Sequence, residues 1–147
     1  MKGGEMSFRW STPPRFQDVD AAGIVFYARL FAYFHDAYVA FLESMGPELA
    51  LHRAVDSADF LIPLVHAEAD FKAPLRFGDE ATTTVSVERI GRSSYTLAYQ
   101  IHRGDGQLAA SGQTVHACAS KAEFRARPLP EALRAGLMQH HVASESQ

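Results

Sequence analysis

Residues 27–45 read Tyr27-Ala28-Arg29-Leu30-Phe31-Ala32-Tyr33-Phe34-His35-Asp36-Ala37-Tyr38-Val39-Ala40-Phe41-Leu42-Glu43-Ser44-Met45, and Gly46-Pro47 follows. No glycine or proline interrupts the run and a Gly-Pro pair stops it, so the spacing predicts one long helix. Leu30, Phe31, Phe34, Ala37, Tyr38, Phe41 and Leu42 cover more than one stripe of that helix. A helix apolar on nearly all sides belongs inside a protein. Arg29, His35 and Asp36 lie within the run and argue against a membrane span.

The pattern changes on both sides of this helix. Upstream, residues 8–16 read as a strand, confined to an edge or a bent end by Pro13-Pro14, and 18–23 as a turn. Downstream, a polar connection over 52–58 leads to four expected strands at 60–71, 81–90, 95–102 and 108–119. Thr82, Thr84, Tyr95, Tyr99 and Thr114 suit a pleated surface, and Gly91 and Gly104-Asp105-Gly106 mark hairpin turns. Residues 128–139 predict a short terminal helix with Pro130 near its first turn. The order gives an α+β fold: a long central helix wrapped by one curved antiparallel sheet of about five strands. The core is expected over about 8–133 of a single domain spanning 1–147, with a C-terminal tail from about 134. So apolar a helix outgrows one sheet, and a homodimer is expected.

Composition narrows the function. The 147 residues fit one domain, and the 47% apolar fraction with ten phenylalanines supplies a core. A chain of this size buries roughly two-thirds of its unfolded surface. Cys118 is the single cysteine, so no internal disulfide forms, and a reducing cytoplasmic setting is expected. Met1-Lys2-Gly3-Gly4-Glu5 has no long apolar stretch of the kind a secretory leader carries. The net charge of −3 offers no general attraction to nucleic acid.

The chemistry concentrates in Arg15-Phe16-Gln17-Asp18-Val19-Asp20-Ala21-Ala22-Gly23-Ile24-Val25-Phe26-Tyr27. This places a carboxylate in a tight turn just ahead of the buried helix. Free N–H groups at a helix start, with the positive end of its dipole, can hold a developing oxyanion. Asp20 can attack a carbonyl bound there or activate water against it. Gly23 permits a sharp turn and the close approach of a ligand. Taken alone, the same residues also describe an ordinary type I turn and helix cap.

The stretch Asp18-Val19-Asp20-Ala21-Ala22-Gly23-Ile24-Val25-Phe26-Tyr27 resembles the signature of the 4-hydroxybenzoyl-CoA thioesterase group of hotdog-fold proteins. That signature reads Asp-x-Asp-x-x-Gly, two aliphatics, then aromatics or a histidine, then the helix. The likeness runs over about 8–133 and is greatest to the aryl-CoA hydrolases of the quinone pathways. It is supported by His35-Asp36-Ala37-Tyr38, Pro63-Leu64-Val65-His66-Ala67, Asp70-Phe71-Lys72-Ala73-Pro74 with Gly78-Asp79, and Gln113-Thr114-Val115-His116 before Pro128-Leu129-Pro130.

The resemblance implies the hotdog fold and hydrolysis of an aromatic acyl-CoA, with no metal and no cofactor beyond the coenzyme A of the substrate. It makes Asp20 the catalytic carboxylate, acting as nucleophile or as base for water, and the Tyr27 backbone N–H the oxyanion donor, with Gly23 in the same turn. Asp18 becomes a supporting residue. Tyr27 stands where many short-chain members carry histidine, which disfavours a short aliphatic substrate. His35, two helical turns beyond Tyr27, is expected to line the acyl pocket, and His66 to lie near it. His102 and His116 read as structural, and His140-His141 as part of the tail. Glu43 occupies the helix position region used by a second hotdog subgroup, but far from the positive pole of the dipole. Coenzyme A needs a basic landing site, for which Arg89, Arg92 and Ser94 around the Gly91 turn, and Arg125 after the last strand, are candidates. The expected partners are thus an acyl-CoA and further copies of the chain, as a homodimer assembling to a homotetramer. The competing expectations are a thioesterase for 4-hydroxybenzoyl-CoA or an aliphatic acyl-CoA, and a non-catalytic acyl-CoA-binding module.

Overall fold

The computed structural model describes residues 7–49 and 59–141, and the polar connection expected at 52–58 lies outside them. The elements are β1 (Phe8–Ser11), α1 (Tyr27–Ser44), β2 (Phe60–Leu61), β3 (Leu64–Phe71), β4 (Ala81–Ile90), β5 (Ser94–Arg103), β6 (Leu108–Ala117), β7 (Ala119–Ser120) and α2 (Glu131–Gln139). Five strands form one antiparallel sheet in the order β1-β4-β5-β6-β3, and β2 pairs with β7 separately.

Alternation along the central strands decides which face of the sheet is inner. Ala81, Thr83, Val85 and Val87 of β4 are buried, as are Tyr95, Leu97, Tyr99 and Ile101 of β5. Their neighbours Thr82, Thr84 and Ser86, and Thr96, Ala98 and Gln100, take the opposite face, as the two-residue period requires. Helix α1 lies on the inner face. Phe34 stacks on Tyr99 with ring centres 4.5 Å apart, and Phe41 meets Phe8 of β1 at 5.6 Å.

One residue permits that close approach. A Cβ on Gly112 of β6 would stand 2.5 Å from both the Glu68 carbonyl oxygen and Phe34 Cε2. Backbone on one side and a buried ring on the other leave nothing free to yield. We expect Gly112→Ala to lower stability by about 2 kcal/mol, within the range for overpacked cores, measured by urea denaturation.

Several expectations are corrected. β1 stops at Ser11, and Phe16–Asp18 form a 3-10 turn instead of extending the strand, because Pro13 and Pro14 have no N–H to donate to the sheet. The run 60–71 divides at Pro63, whose carbonyl accepts the Ala117 N–H, so that β2 leaves to pair with β7. Nor is α1 enclosed. Leu30, Tyr33, Phe34, Ala37, Tyr38, Phe41 and Leu42 are buried, whereas Tyr27, Phe31, His35 and Asp36 are exposed. One sheet covers one side of a helix, and the opposite apolar side stays open. The packed structure also continues past 134. Leu133 and Leu137, one turn apart on α2, are buried, and the Val87 N–H bonds the His140 carbonyl at 3.4 Å. Residues 134–141, and with them the His140-His141 pair, are therefore docked on β4. No helix among the described residues is long and apolar enough to cross a membrane.

Candidate active site

The turn ahead of α1 is tied to itself, to the sheet and to the helix. Asp20 Oδ1 accepts the Ala22 N–H at 2.9 Å and the Ile24 N–H at 3.4 Å, and the Asp20 carbonyl accepts the Gly23 N–H at 2.9 Å. Gly23 has φ +78°, in the left-handed region that glycine enters without strain. Asp20 is exposed, and its Oδ2 has no partner among the described residues. One carboxylate oxygen thus holds the turn while the other is free to react.

Asp18 secures this turn from below. It is 1% exposed and accepts the Tyr33 hydroxyl at 2.8 Å and the Arg15 N–H at 3.1 Å, with Arg29 Nε 3.7 Å away. Burial pushes the Asp18 carboxyl up, but the Tyr33 and Arg15 hydrogen bonds and the Arg15 and Arg29 charges outweigh it. The net result is a pKa below the ordinary carboxylate value. The Asp18 carbonyl also accepts the Phe26 N–H at 2.8 Å, and the Val25 N–H bonds the Leu75 carbonyl at 2.7 Å. Helix α1 then begins with no side-chain cap. The N–H groups of Tyr27 and Ala28 have no acceptor among the described residues. Unpaired donors at the positive end of a helix are suited to a negative oxygen.

Two cavities follow α1 along its open side toward β3. The first, of about 310 Å³, adjoins the helix start and is lined by Ile24, Tyr27, Leu30, Phe71 and Leu75 among others. The second, of about 320 Å³, lies further along and is lined by Phe31, Phe34, His35 and Tyr38 from the helix, with Leu64, Thr114 and His116 from the strands. His35, expected to line the acyl pocket, thus stands in the wall of this cavity.

The floor of the second cavity is a hydrogen-bonded aromatic cluster that sequence reading missed. Tyr99 OH and Thr114 Oγ1 are 2.7 Å apart, and His116 Nε2 is 2.9 Å from Thr114 Oγ1. The His116 ring stacks on Tyr38 at 4.3 Å and on Tyr95 at 5.1 Å, and the two tyrosine hydroxyls bond each other at 2.7 Å. Burial, followed by the positive charge of a protonated His35, pushes His116 down to about 4. The available signal was two polar residues, Thr114 and His116, at inward positions of a strand.

Other expected site residues are not brought to this place within one chain. Ala67 and its cross-strand partner Thr114 face the second cavity, so the alternating neighbours His66 and Glu68 face the other side of the sheet. There His66 Nε2 pairs with Glu68 Oε1 at 2.8 Å. The Asp20 turn bridges to Arg76, just before β4 begins, whereas Arg89 lies near the far end of β4. That is about 25 Å along a strand. Arg92 sits in the β4–β5 turn and Ser94 opens β5 at the same far end, and the Arg125 carbonyl accepts the Ser120 N–H there.

A carboxylate poised ahead of unpaired helix-start N–H groups, beside an apolar cavity, is the equipment of an acyl hydrolase. The chain belongs to the thioesterase-like superfamily, which matches residues 14–137, and it has the hotdog thioesterase fold. It is 34% identical over 120 residues to the 1,4-dihydroxy-2-naphthoyl-CoA hydrolase of Synechococcus elongatus, covering 82% of this chain and 87% of that protein. Its structure is similar to that of a 1,4-dihydroxy-2-naphthoyl-CoA thioesterase from Synechocystis, with a TM-score of 0.84 and 29% identity over 90% of this chain and 96% of the other. A gentisyl-coenzyme A thioesterase gives a TM-score of 0.77 at 29% identity, covering 88% of this chain and 98% of that one.

Proposed function

We propose that the chain hydrolyses an aryl-CoA thioester, 1,4-dihydroxy-2-naphthoyl-CoA, to the free acid and coenzyme A, a step toward menaquinone or phylloquinone. The observation that carries this reading is the free Oδ2 of Asp20, held in the Gly23 turn directly ahead of the unpaired Tyr27 and Ala28 N–H groups. The similarity to two proteins named for that substrate supplies the acyl group. The thioester carbonyl oxygen rests on the Tyr27 N–H, and Asp20 attacks the carbonyl carbon or takes a proton from the attacking water. As charge develops on the oxygen, the helix-start donors and dipole stabilise it. His35 lines the acyl pocket. The reading calls for no metal and no cofactor, and it places the enzyme in the cytoplasm.

A homodimer belongs to the same reading. β3 is an edge strand exposed on both faces, and Leu64, Val65 and Phe71 stand 54%, 59% and 56% exposed. An apolar open edge is a template for another strand. Antiparallel pairing of β3 with its copy, centred on the strand, sets the Phe71 end of one protomer against the Leu64 end of the other. Arg89, Arg92, Ser94 and Arg125 of one protomer then approach the reaction centre of its partner, where coenzyme A phosphates need cations. Two such dimers complete a homotetramer.

Thiol release from a CoA panel tests the function: 1,4-dihydroxy-2-naphthoyl, 4-hydroxybenzoyl, benzoyl, acetyl and long-chain acyl thioesters. We expect the dihydroxynaphthoyl ester to give the highest kcat/KM. Preference for another aryl or an aliphatic ester would reassign the substrate, and no turnover at all would leave an acyl-CoA-binding module.

A further inference from the structure

We propose that His116 is a specificity-determining residue, donating a hydrogen bond from Nδ1 to an oxygen on the aromatic ring of the acyl group. The inference rests on the aryl-CoA reading above and names what in that substrate is recognised.

Proton placement in the cluster leads to this role. Tyr99 is 1% exposed, and its hydroxyl has one partner, Thr114 Oγ1. To avoid burying an unpaired donor, the Tyr99 O–H donates to Thr114. The Thr114 O–H is then directed to its other partner, His116 Nε2. With Nε2 accepting, a neutral imidazole carries its proton on Nδ1. Burial keeps the ring neutral near pH 7. Nδ1 has no partner among the described residues, and His116 lines the second cavity. The remaining walls of this slot suit an aromatic guest: Phe31, Phe34, Tyr38, Leu64 and Tyr99 line the same cavity. The slot takes an aromatic ring, and Nδ1–H selects a ring that bears an acceptor oxygen.

The distance along α1 says whose substrate is read. Tyr38, stacked on His116, is three turns beyond Tyr27, or about 16 Å of helix. A ring bonded directly to the carbonyl does not span that length within one protomer. Across the proposed β3 pairing it does not need to. Tyr27 lies 6.4 Å from Phe71, and Leu64 is the cross-strand neighbour of His116. Pairing Phe71 of one copy with Leu64 of the other brings the helix start of each protomer to the slot of its partner.

The test compares 1,4-dihydroxy-2-naphthoyl-CoA with 2-naphthoyl-CoA, which lacks the ring oxygens. In His116→Phe we expect the ratio of kcat/KM for the hydroxylated over the plain ester to fall about 10- to 100-fold. Thr114→Val, which releases Nε2 and unfixes the tautomer, should lower the same ratio by a smaller factor, and it remains informative where His116→Phe does not fold. An unchanged ratio in a folded variant overturns the role. Mixing His116→Phe with Asp20→Asn protomers tests the placement. A site shared across the interface leaves one intact site in each mixed dimer, and activity on the hydroxylated ester rises to about a quarter of wild type. No gain, with exchange of protomers verified, overturns the shared site. A wild type that turns over no aryl-CoA overturns the aryl-CoA reading itself and this inference with it.

Discussion

Asp20→Asn is expected to lower kcat by about 10³-fold or more, at the upper end of what one acid–base or nucleophilic group contributes, while leaving the fold and acyl-CoA binding in place. The substitution is nearly isosteric. An asparagine carbonyl oxygen can still accept the Ala22 N–H that Asp20 Oδ1 accepts at 2.9 Å, so the turn keeps its shape. What is lost is the charge on the second oxygen, which the proposed role as nucleophile or base requires. Unchanged melting, retained binding of coenzyme A thioester and near-absent thiol release would together place the chemistry on this carboxylate. Full activity in a sample shown by mass to be free of deamidation would return Asp20 to the status of a turn residue. Product labelling in heavy-oxygen water over a single turnover then tests the nucleophilic role: heavy oxygen found in Asp20 marks an anhydride opened by water at the aspartyl carbon.

The second large effect is on stability. The His116 pKa is depressed from an ordinary 6.5 to about 4, first by burial and then by the charge of His35. Below pH 6.5 the unfolded chain takes up a proton that the folded chain refuses until about pH 4. The neutral ring therefore supports the fold fully above pH 6.5, and that support is lost progressively as the pH falls through this window. At 1.36 kcal/mol per pKa unit the loss approaches about 3 kcal/mol. Urea unfolding at pH 7 and pH 4.5 should show it, and His116→Phe should flatten the difference. Equal slopes for wild type and variant would mean that His116 charges freely in the folded state. The Asp18 carboxylate, held below its ordinary value of 3.8, adds a separate loss at still lower pH, as the carboxylate that accepts the Tyr33 and Arg15 hydrogen bonds becomes protonated.

Local and contiguous features were legible in the sequence. Helix α1, the β4–β5–β6 meander and the Asp20 turn each rest on signals within a few residues: unbroken apolar spacing, a two-residue alternation, or a glycine at a reversal. Features made by distant residues were not. The Tyr38–Tyr95–Tyr99–Thr114–His116 cluster joins one helix to two strands, and no spacing along the chain foretells it. The register shift between Leu64 and His66 on β3 adds a phase that alternation alone does not supply, so the face of His66 could not be counted from a distance. The arginines near Gly91 are close to the Asp20 turn in neither sequence nor chain geometry. It would take an assembly such as the proposed β3 pairing to bring them near it, and a single sequence does not print its own symmetry.

The knot beneath the Asp20 turn uses Asp18, Tyr33, Arg15 and Arg29, none of which lines the ring slot. In the proposed enzyme, scissile chemistry and acyl recognition thus fall on separate sets of side chains. A lineage can drift from one acyl group to another by replacing slot residues such as Phe31 or His35 while the hydrolytic turn is inherited intact. That modularity gives a short chain room to diversify without first surrendering its reaction.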